Sequence, residues 1–269
     1  MLDPEQLLVV LSQPRSAVAE SYRGLRTSIQ RALTGGVKTL MFVSAYGGDG
    51  KSSVCANIAV TLTQLYLDVV LVDCDLRRPT LTKLFNVDGR PGMGDFINGS
   101  APADSVFLDT GIERLKIVPA GTAKENAGDL LGRPTVREFC QTVSERCDVA
   151  IFDTSPISAC SDALSLGAHM DTSIMVISPK RWDGEVEVRV RQSLEAHHIP
   201  VLGVILNGAD PTVRGKYGAG YGYIYGYGYG AKKRESAYGY GYYYNEGDHS
   251  QGPSEKREGW FSRLFSWLS

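Results

Sequence analysis

At 269 residues the chain has room for one large domain or two small ones, and with 43% hydrophobic and 22% charged residues it can bury a sizeable core. A net charge of −2 without a basic cluster argues against a nucleic-acid partner. Cys55, Cys74, Cys140, Cys147 and Cys160 form no C-x-x-C pair, which favours a reduced, cytoplasmic setting; residues 1–11 lack the pattern of a signal peptide, and no run of about 18 apolar residues is present to cross a membrane.

Residues 1–34 read as a lead-in whose helix is expected over 17–33, rich in charge and interrupted only by Gly24. Strand and helix then alternate: a strand over 37–44, a helix over 52–67 and a short apolar strand over 69–73. Further strands are expected over 115–119, 149–153, 173–178 and 201–207, with helices over 133–143 and 184–196. This rhythm is that of an α/β fold whose mostly parallel sheet carries crossover helices on both faces. After Asn207 the composition changes, and 217–244 is largely alternating Tyr and Gly with no core periodicity, which reads as a flexible tail or, more plainly, as an adhesive low-complexity segment. Trp260, Phe261, Leu264, Phe265, Trp267 and Leu268 would share one face of a terminal helix.

Three strand ends carry the chemistry. Residues 45–52, Ala-Tyr-Gly-Gly-Asp-Gly-Lys-Ser, match G-x-x-x-x-G-K-[ST] with Ala45 in place of the first glycine, between a predicted strand and a predicted helix. Gly47, Gly48, Asp49, Gly50, Lys51, Ser52 and Ser53 are thereby candidates to hold a polyphosphate: glycines let the backbone wrap it, and the helix start adds N–H groups and partial positive charge. Lys51 would neutralise the outer phosphates and the Ser52 hydroxyl would ligate Mg²⁺. Asp73 and Asp75 leave the next strand at its carboxyl end, where open α/β sheets bind ligands; they could serve the metal or accept a proton, or Asp75 could cap the turn that begins near Arg77. Asp153 ends another apolar strand, the usual place of a second Mg²⁺ anchor.

With these residues in view the chain resembles, over nearly its whole length, the bacterial tyrosine kinases that govern capsule and exopolysaccharide synthesis, of the cytoplasmic type. Lys51 and Ser52 match that family's Walker A motif, Asp73, Asp75 and Arg77 its Walker A′ motif, and Asp153 its Walker B motif. Glu20, Arg23 and Arg26 match its E-x-x-R-x-x-R motif, which implies contacts between subunits of a ring, although the same spacing describes a solvated charged face. The resemblance implies ATP and Mg²⁺ as cofactors, Asp73 as proton acceptor with Lys51 and Asp75 in the catalytic set, and Ser52, Asp75 and Asp153 around the metal. It also implies a non-specific protein-tyrosine kinase that phosphorylates its own tail in trans, at Tyr217, Tyr221, Tyr223, Tyr225, Tyr227, Tyr229, Tyr238, Tyr240, Tyr242, Tyr243 and Tyr244.

The implied organisation is a lead-in with the oligomerisation motif (1–34), a P-loop kinase domain (35–208), the Tyr-rich tail (209–258) and an amphipathic aromatic segment (259–269). A separate transmembrane polysaccharide co-polymerase would be the activator, and the protein would sit peripherally at the inner face of the cell membrane. Residues 260–268, with Lys256, Arg257 and Arg263 near by, could meet a membrane surface, a partner or the chain's own domain. Two features depart from the family: Gly47 stands where Pro is frequent, and the aromatic end is not required by its pattern. The alternative reading is a MinD- or ParA-like positioning ATPase; those proteins carry an extra lysine early in the loop, where this chain has Tyr46.

Overall fold

In the computed structural model of the chain the described residues are 7–123, 126–159 and 161–209. They belong to the first of two compact units, Met1–Ala209, the other being Asp210–Ser269. The eleven tail tyrosines and the aromatic segment from 259 lie outside the described residues.

The apolar runs become strands β1 (Thr39–Ser44), β2 (Val69–Asp73), β3 (Leu108–Asp109), β4 (Leu115–Val118), β5 (Val149–Asp153), β6 (Thr172–Ile177) and β7 (Val201–Leu206). They form one sheet in the order β3-β4-β2-β5-β1-β6-β7, with every described neighbour parallel except the short antiparallel β3/β4 pair. Every residue of β1, β2 and β5 is buried because both faces are covered. The period of two is visible in the core. Leu40, Phe42, Val69, Leu71, Val149 and Ile151 pack on one face, and Met41, Val43, Val70, Val72, Ala150 and Phe152 on the other.

The helices are α1 (Val9–Ser12), α2 (Ala17–Thr34), α3 (Lys51–Thr63), α4 (Leu81–Phe85), α5 (Met93–Ile97), α6 (Ala127–Leu131), α7 (Thr135–Ser144), α8 (Asp162–Gly167) and α9 (Gly184–Ala196). Ser16 caps α2 by accepting from the Ala19 N–H at 3.1 Å, and Ala19, Tyr22 and Ile29 face the core. They pack across α3, which is buried without interruption from Val54 to Leu62. Burial on all sides explains why α3 has no polar stripe: it is a middle layer between sheet and α2. Asn57, 1% exposed, ties the lead-in to this layer; its amide accepts from Val10 N at 3.1 Å and donates to Leu7 O at 2.7 Å.

Several predicted boundaries shift for local reasons. The helix expected over 52–67 ends at Thr63, where i→i−3 bonds tighten the chain and Tyr66 takes a left-handed φ of 62° to enter β2. The helix expected from 133 begins at Thr135, because the residue before Pro134 is disfavoured in helical geometry. Among the described residues no helix is long and apolar enough to cross a membrane.

Candidate nucleotide and phosphoryl-transfer site

Register brings the three predicted strand ends together. In the sheet β5 lies between β2 and β1, so Asp73 is the Cα partner of Asp153, and Asp153 pairs with Phe42, two residues before the end of β1. The loop itself is shaped by two glycines in left-handed geometry, Gly48 at φ +87° and Gly50 at φ +84°. Gly50 is the N-cap of α3, so the N–H groups that open this helix face the loop. Polar struts hold the turn. Asp49 Oδ2 accepts from Tyr46 N at 3.0 Å, Ser44 Oγ donates to Tyr46 O at 3.1 Å, and Ser158 Oγ donates to Ala45 O.

Lys51 begins α3 and turns inward, 6% exposed, where its Nζ donates to Asp153 Oδ1. Burial alone would lower its pKa; the Asp153 charge, with Cys55 and Asp75 beyond it, more than compensates and holds the ammonium above its ordinary value. Asp153 is fully buried, and its Oδ2 has no hydrogen-bond partner. An unpartnered carboxylate oxygen at that depth is costly unless something cationic or hydrated meets it.

Asp73 is also fully buried, and its pKa is raised to about 7, by burial first and by the Asp153 charge second, against the backbone N–H bonds of Leu81, Thr80 and Asp75. Its Oδ2 accepts from Thr80 N and Leu81 N at 3.0 Å each, and its Oδ1 from Asp75 N at 3.2 Å. The predicted base is thus held rigidly over the start of α4. Asp75 Oδ1 accepts from Arg77 N at 3.2 Å, from Arg78 N at 3.0 Å and from Ser155 Oγ at 3.1 Å, so the turn-capping alternative describes part of what it does. Arg77 reaches away from the loop to Asp162 Oδ2 at 2.9 Å, a strut between the β2 turn and α8. Ser52 and Ser53 lie half-buried in the first turn of α3.

The oxygen-rich end suits Mg²⁺, a hard cation that takes few protein ligands besides phosphate and water. The Ser52 hydroxyl, Asp75 and the unpartnered oxygen of Asp153 would hold it, and the glycine cradle with the α3 start fits phosphates. Two surface hollows of about 350 and 590 Å³ are lined by Asp109 with residues 111–116 and by a group including Lys38, Arg137 and His169; neither includes a residue of this site.

The predicted E-x-x-R-x-x-R set stays apart. Glu20 and Arg23 pair at 2.6 Å on α2, Arg23 also donates to Pro14 O, and Arg26 donates to Thr61 O and Gln64 Oε1 at 3.2 Å each. Within one chain these three residues buttress the lead-in. Residues that no motif marked also join the site: Ser155, Ser158, Arg181, Asn207 and Glu187. Asn207 Nδ2 donates to Asp49 O at 2.8 Å, and a Cβ on Gly50 would come within 2.0 Å of that nitrogen. Asn207 directly follows β7, so the strand-end rule that found the aspartates would have found it, whereas Arg181 lies in the loop well past the end of β6.

Fold and site together are those of a P-loop nucleotide-binding protein: the family described as "ParA: NUBPL iron-transfer P-loop NTPase" matches residues 36–216. The chain is 30% identical over 212 residues to Tyrosine-protein kinase YwqD of Bacillus subtilis (strain 168), covering 78% of this chain and 90% of that protein. It superposes on the kinase domain of Escherichia coli tyrosine kinase ETK with a TM-score of 0.72 at 26% identity, covering 87% of this chain and 84% of that one. MinD of Pyrococcus horikoshii OT3, solved with Mg-ADP, is more distant, with a TM-score of 0.55 at 25% identity over 63% of this chain and 69% of its own. The chain belongs to the family of bacterial tyrosine-protein kinases, whose fold is that of ParA-type P-loop NTPases. Other curated tyrosine kinases it matches are longer, and the chain spans 30% or less of their length.

Proposed function

We propose that this chain binds Mg·ATP at residues 47–53 and transfers the terminal phosphoryl group to tyrosines of a neighbouring subunit's tail, from Tyr217 to Tyr244, as a regulator of exopolysaccharide or capsule synthesis. The observation that carries the reading is the buried Lys51–Asp153 pair at the head of α3, with Asp73 beside it and one Asp153 oxygen unpartnered. That oxygen, beside a cation and at a strand's carboxyl end, is where a hydrated metal would find a ligand.

In this proposal the loop N–H groups and the start of α3 orient the phosphates. Bound Mg²⁺ would neutralise the charge that gathers on the phosphoryl oxygens. Asp73 takes the proton from the tyrosine hydroxyl as that oxygen bonds to phosphorus, and the bridging P–O bond breaks to release ADP. A pKa of about 7 suits the carboxylate to this exchange. Its two oxygens are fixed by backbone donors, so the acceptor loses no freedom when the phenol arrives. Glu20, Arg23 and Arg26 would bring subunits together in a ring by exchanging their bonds within the chain for bonds across it. A membrane co-polymerase as activator and a peripheral position at the membrane complete the proposal.

The experiment mixes a chain ending at Gly208 with full-length Lys51→Met, adding γ-labelled ATP and an activator fragment. Label on tyrosine of the full-length chain is expected, since the truncated chain supplies the site and the other the tail. Absence of label there, with full-length wild type labelling normally, would refute transfer between subunits. A positioning ATPase would hydrolyse ATP and label nothing. Liposome flotation of the full chain against one ending at Glu258 tests residues 260–268, and equal flotation removes their membrane role.

A further inference from the structure

Residues 178–183, between β6 and α9, bring to the phosphate loop a cation that no motif marks. Arg181 Nη1 donates to Gly47 O. A Cβ placed on Gly48 would lie 2.7 Å from Nη1 and 3.0 Å from both Cζ and Nη2. The guanidinium therefore rests directly on the loop, and the position tolerates it because Gly48 has no side chain and holds φ +87°. Arg181 is exposed, and its charge acts on Asp49 in the loop, whose pKa burial raises and Arg181 partly draws back down, although among the described residues no carboxylate lies within ion-pair distance of it. Lys51, the cation that the motif does supply, is already committed to Asp153.

A backbone carbonyl is a weak anchor for such a group. A phosphate oxygen offers a charge-assisted bond about twice as strong as a neutral one, and a guanidinium meets it with a fork of two donors. Phosphates seated on the N–H groups that open α3 would leave the first half of the loop, Gly47 and Gly48, to the third phosphate. Arg181 is waiting at that half.

We propose that Arg181 is the cation, supplied by the same chain, that grips the transferring phosphoryl group, exchanging Gly47 O for its oxygens when the nucleotide binds. The proposal rests on the nucleotide reading above and adds to it a residue specific to the third phosphate. As the phenol oxygen bonds to phosphorus and the bond to ADP breaks, negative charge gathers on the phosphoryl oxygens that the guanidinium faces, the arrangement by which an arginine accelerates this reaction in other P-loop proteins.

The test measures equilibrium binding to the full-length chain, with Mg²⁺, of ADP and of a non-hydrolysable ATP analogue, for wild type, Arg181→Ala and Arg181→Lys. Arg181→Ala is expected to weaken the analogue about 10- to 100-fold, the loss of a charged hydrogen bond, while ADP changes by less than about two-fold. Arg181→Lys recovers part of the loss, because it keeps the charge and gives up the fork. Equal weakening of both nucleotides would overturn the proposal in favour of a prop acting through Gly47 O, and no weakening of either would overturn it outright. Wild type that binds neither nucleotide would remove the nucleotide reading itself, a result the ADP titration identifies by itself.

Discussion

The two ends of the parallel sheet treat carboxylates in opposite ways. At the amino end Asp171 Oδ2 accepts from Lys38 N and Thr39 N at 2.8 Å each, which ties the entry of β1 to that of β6, and Asp148 Oδ2 accepts from Asp68 N at 2.8 Å. Burial works against the charge of Asp171, but these backbone bonds and the Thr39 hydroxyl prevail, and its pKa falls below the ordinary value. At the carboxyl end Asp49, Asp73 and Glu187 all have raised pKa values, burial being the first cause in each. Among the described residues, the buried side-chain atoms without a partner, Asp49 Oδ1, Asp153 Oδ2 and Glu187 Oε2, all lie at this end too. At the amino end backbone donors meet the carboxylates, whereas at the carboxyl end three carboxylates each keep one oxygen without a donor. Where a fold departs from full satisfaction, function is the first place to look.

Breaking the Lys51–Asp153 pair tests this contrast with the largest effect. Lys51→Met leaves a buried carboxylate without its cation, so tyrosine label should fall to background and unfolding free energy should drop by about 3 to 5 kcal/mol. Adding Asp153→Asn removes the stranded charge. The double variant should regain most of that stability in denaturant titrations while remaining unlabelled. If label returned with stability, the pair would be structural only.

The next effect belongs to the amino end. Asp171→Ala leaves the Lys38 and Thr39 N–H groups without their acceptor, at a cost of about 1 to 3 kcal/mol, whereas ADP affinity should stay within about two-fold of wild type. The pH dependence has a definite sign. A depressed folded pKa means the native state binds fewer protons, so the contribution of Asp171 is full above its unfolded value near 3.8 and is lost as pH falls through the folded one. The stability gap between wild type and Asp171→Asn should therefore be constant from pH 5 upward and close in more acidic solution. A gap that opened with acid would contradict the assignment.

Much of this contrast could be read before any coordinates, and the reason is physical. The buried strands are continuous apolar runs, and three of them end in a residue of the site, so Asp73, Asp153 and the loop to Lys51 were visible as strand ends. The short elements α4, α5, α6 and α8, of five or six residues, were not, because a helix of that length offers no periodic pattern to detect. The ties between distant segments were hidden for another reason. Arg181 meets Gly47 across a sequence separation of 134 and Asn207 meets Asp49 across 158, and only the sheet order brings β6 and β7 beside β1. The capping role of Asp73 was equally hidden, since it depends on where α4 begins.

The smallest effect concerns Glu187, in the first turn of α9 and 3% exposed. Burial raises its pKa first, the backbone N–H groups of Glu187 and Asp183 oppose this, and the charges of Asp183 and Asp49 add to the rise. A raised folded pKa means the native state binds more protons than the unfolded chain, so ionised Glu187 opposes folding once pH exceeds that value. Glu187→Gln removes the charge and keeps the shape. The variant should gain up to about 1 kcal/mol at pH 8, and the gain should shrink as acid protonates the wild-type carboxyl. If the carboxyl end is held open for its ligand, the same variant should also bind Mg·ADP more tightly, because it removes a negative charge beside Asp49 that opposes the phosphates. Unchanged affinity with raised stability would mean that Glu187 is only a misplaced charge, and would confine the functional strain to Asp49, Asp73 and Asp153.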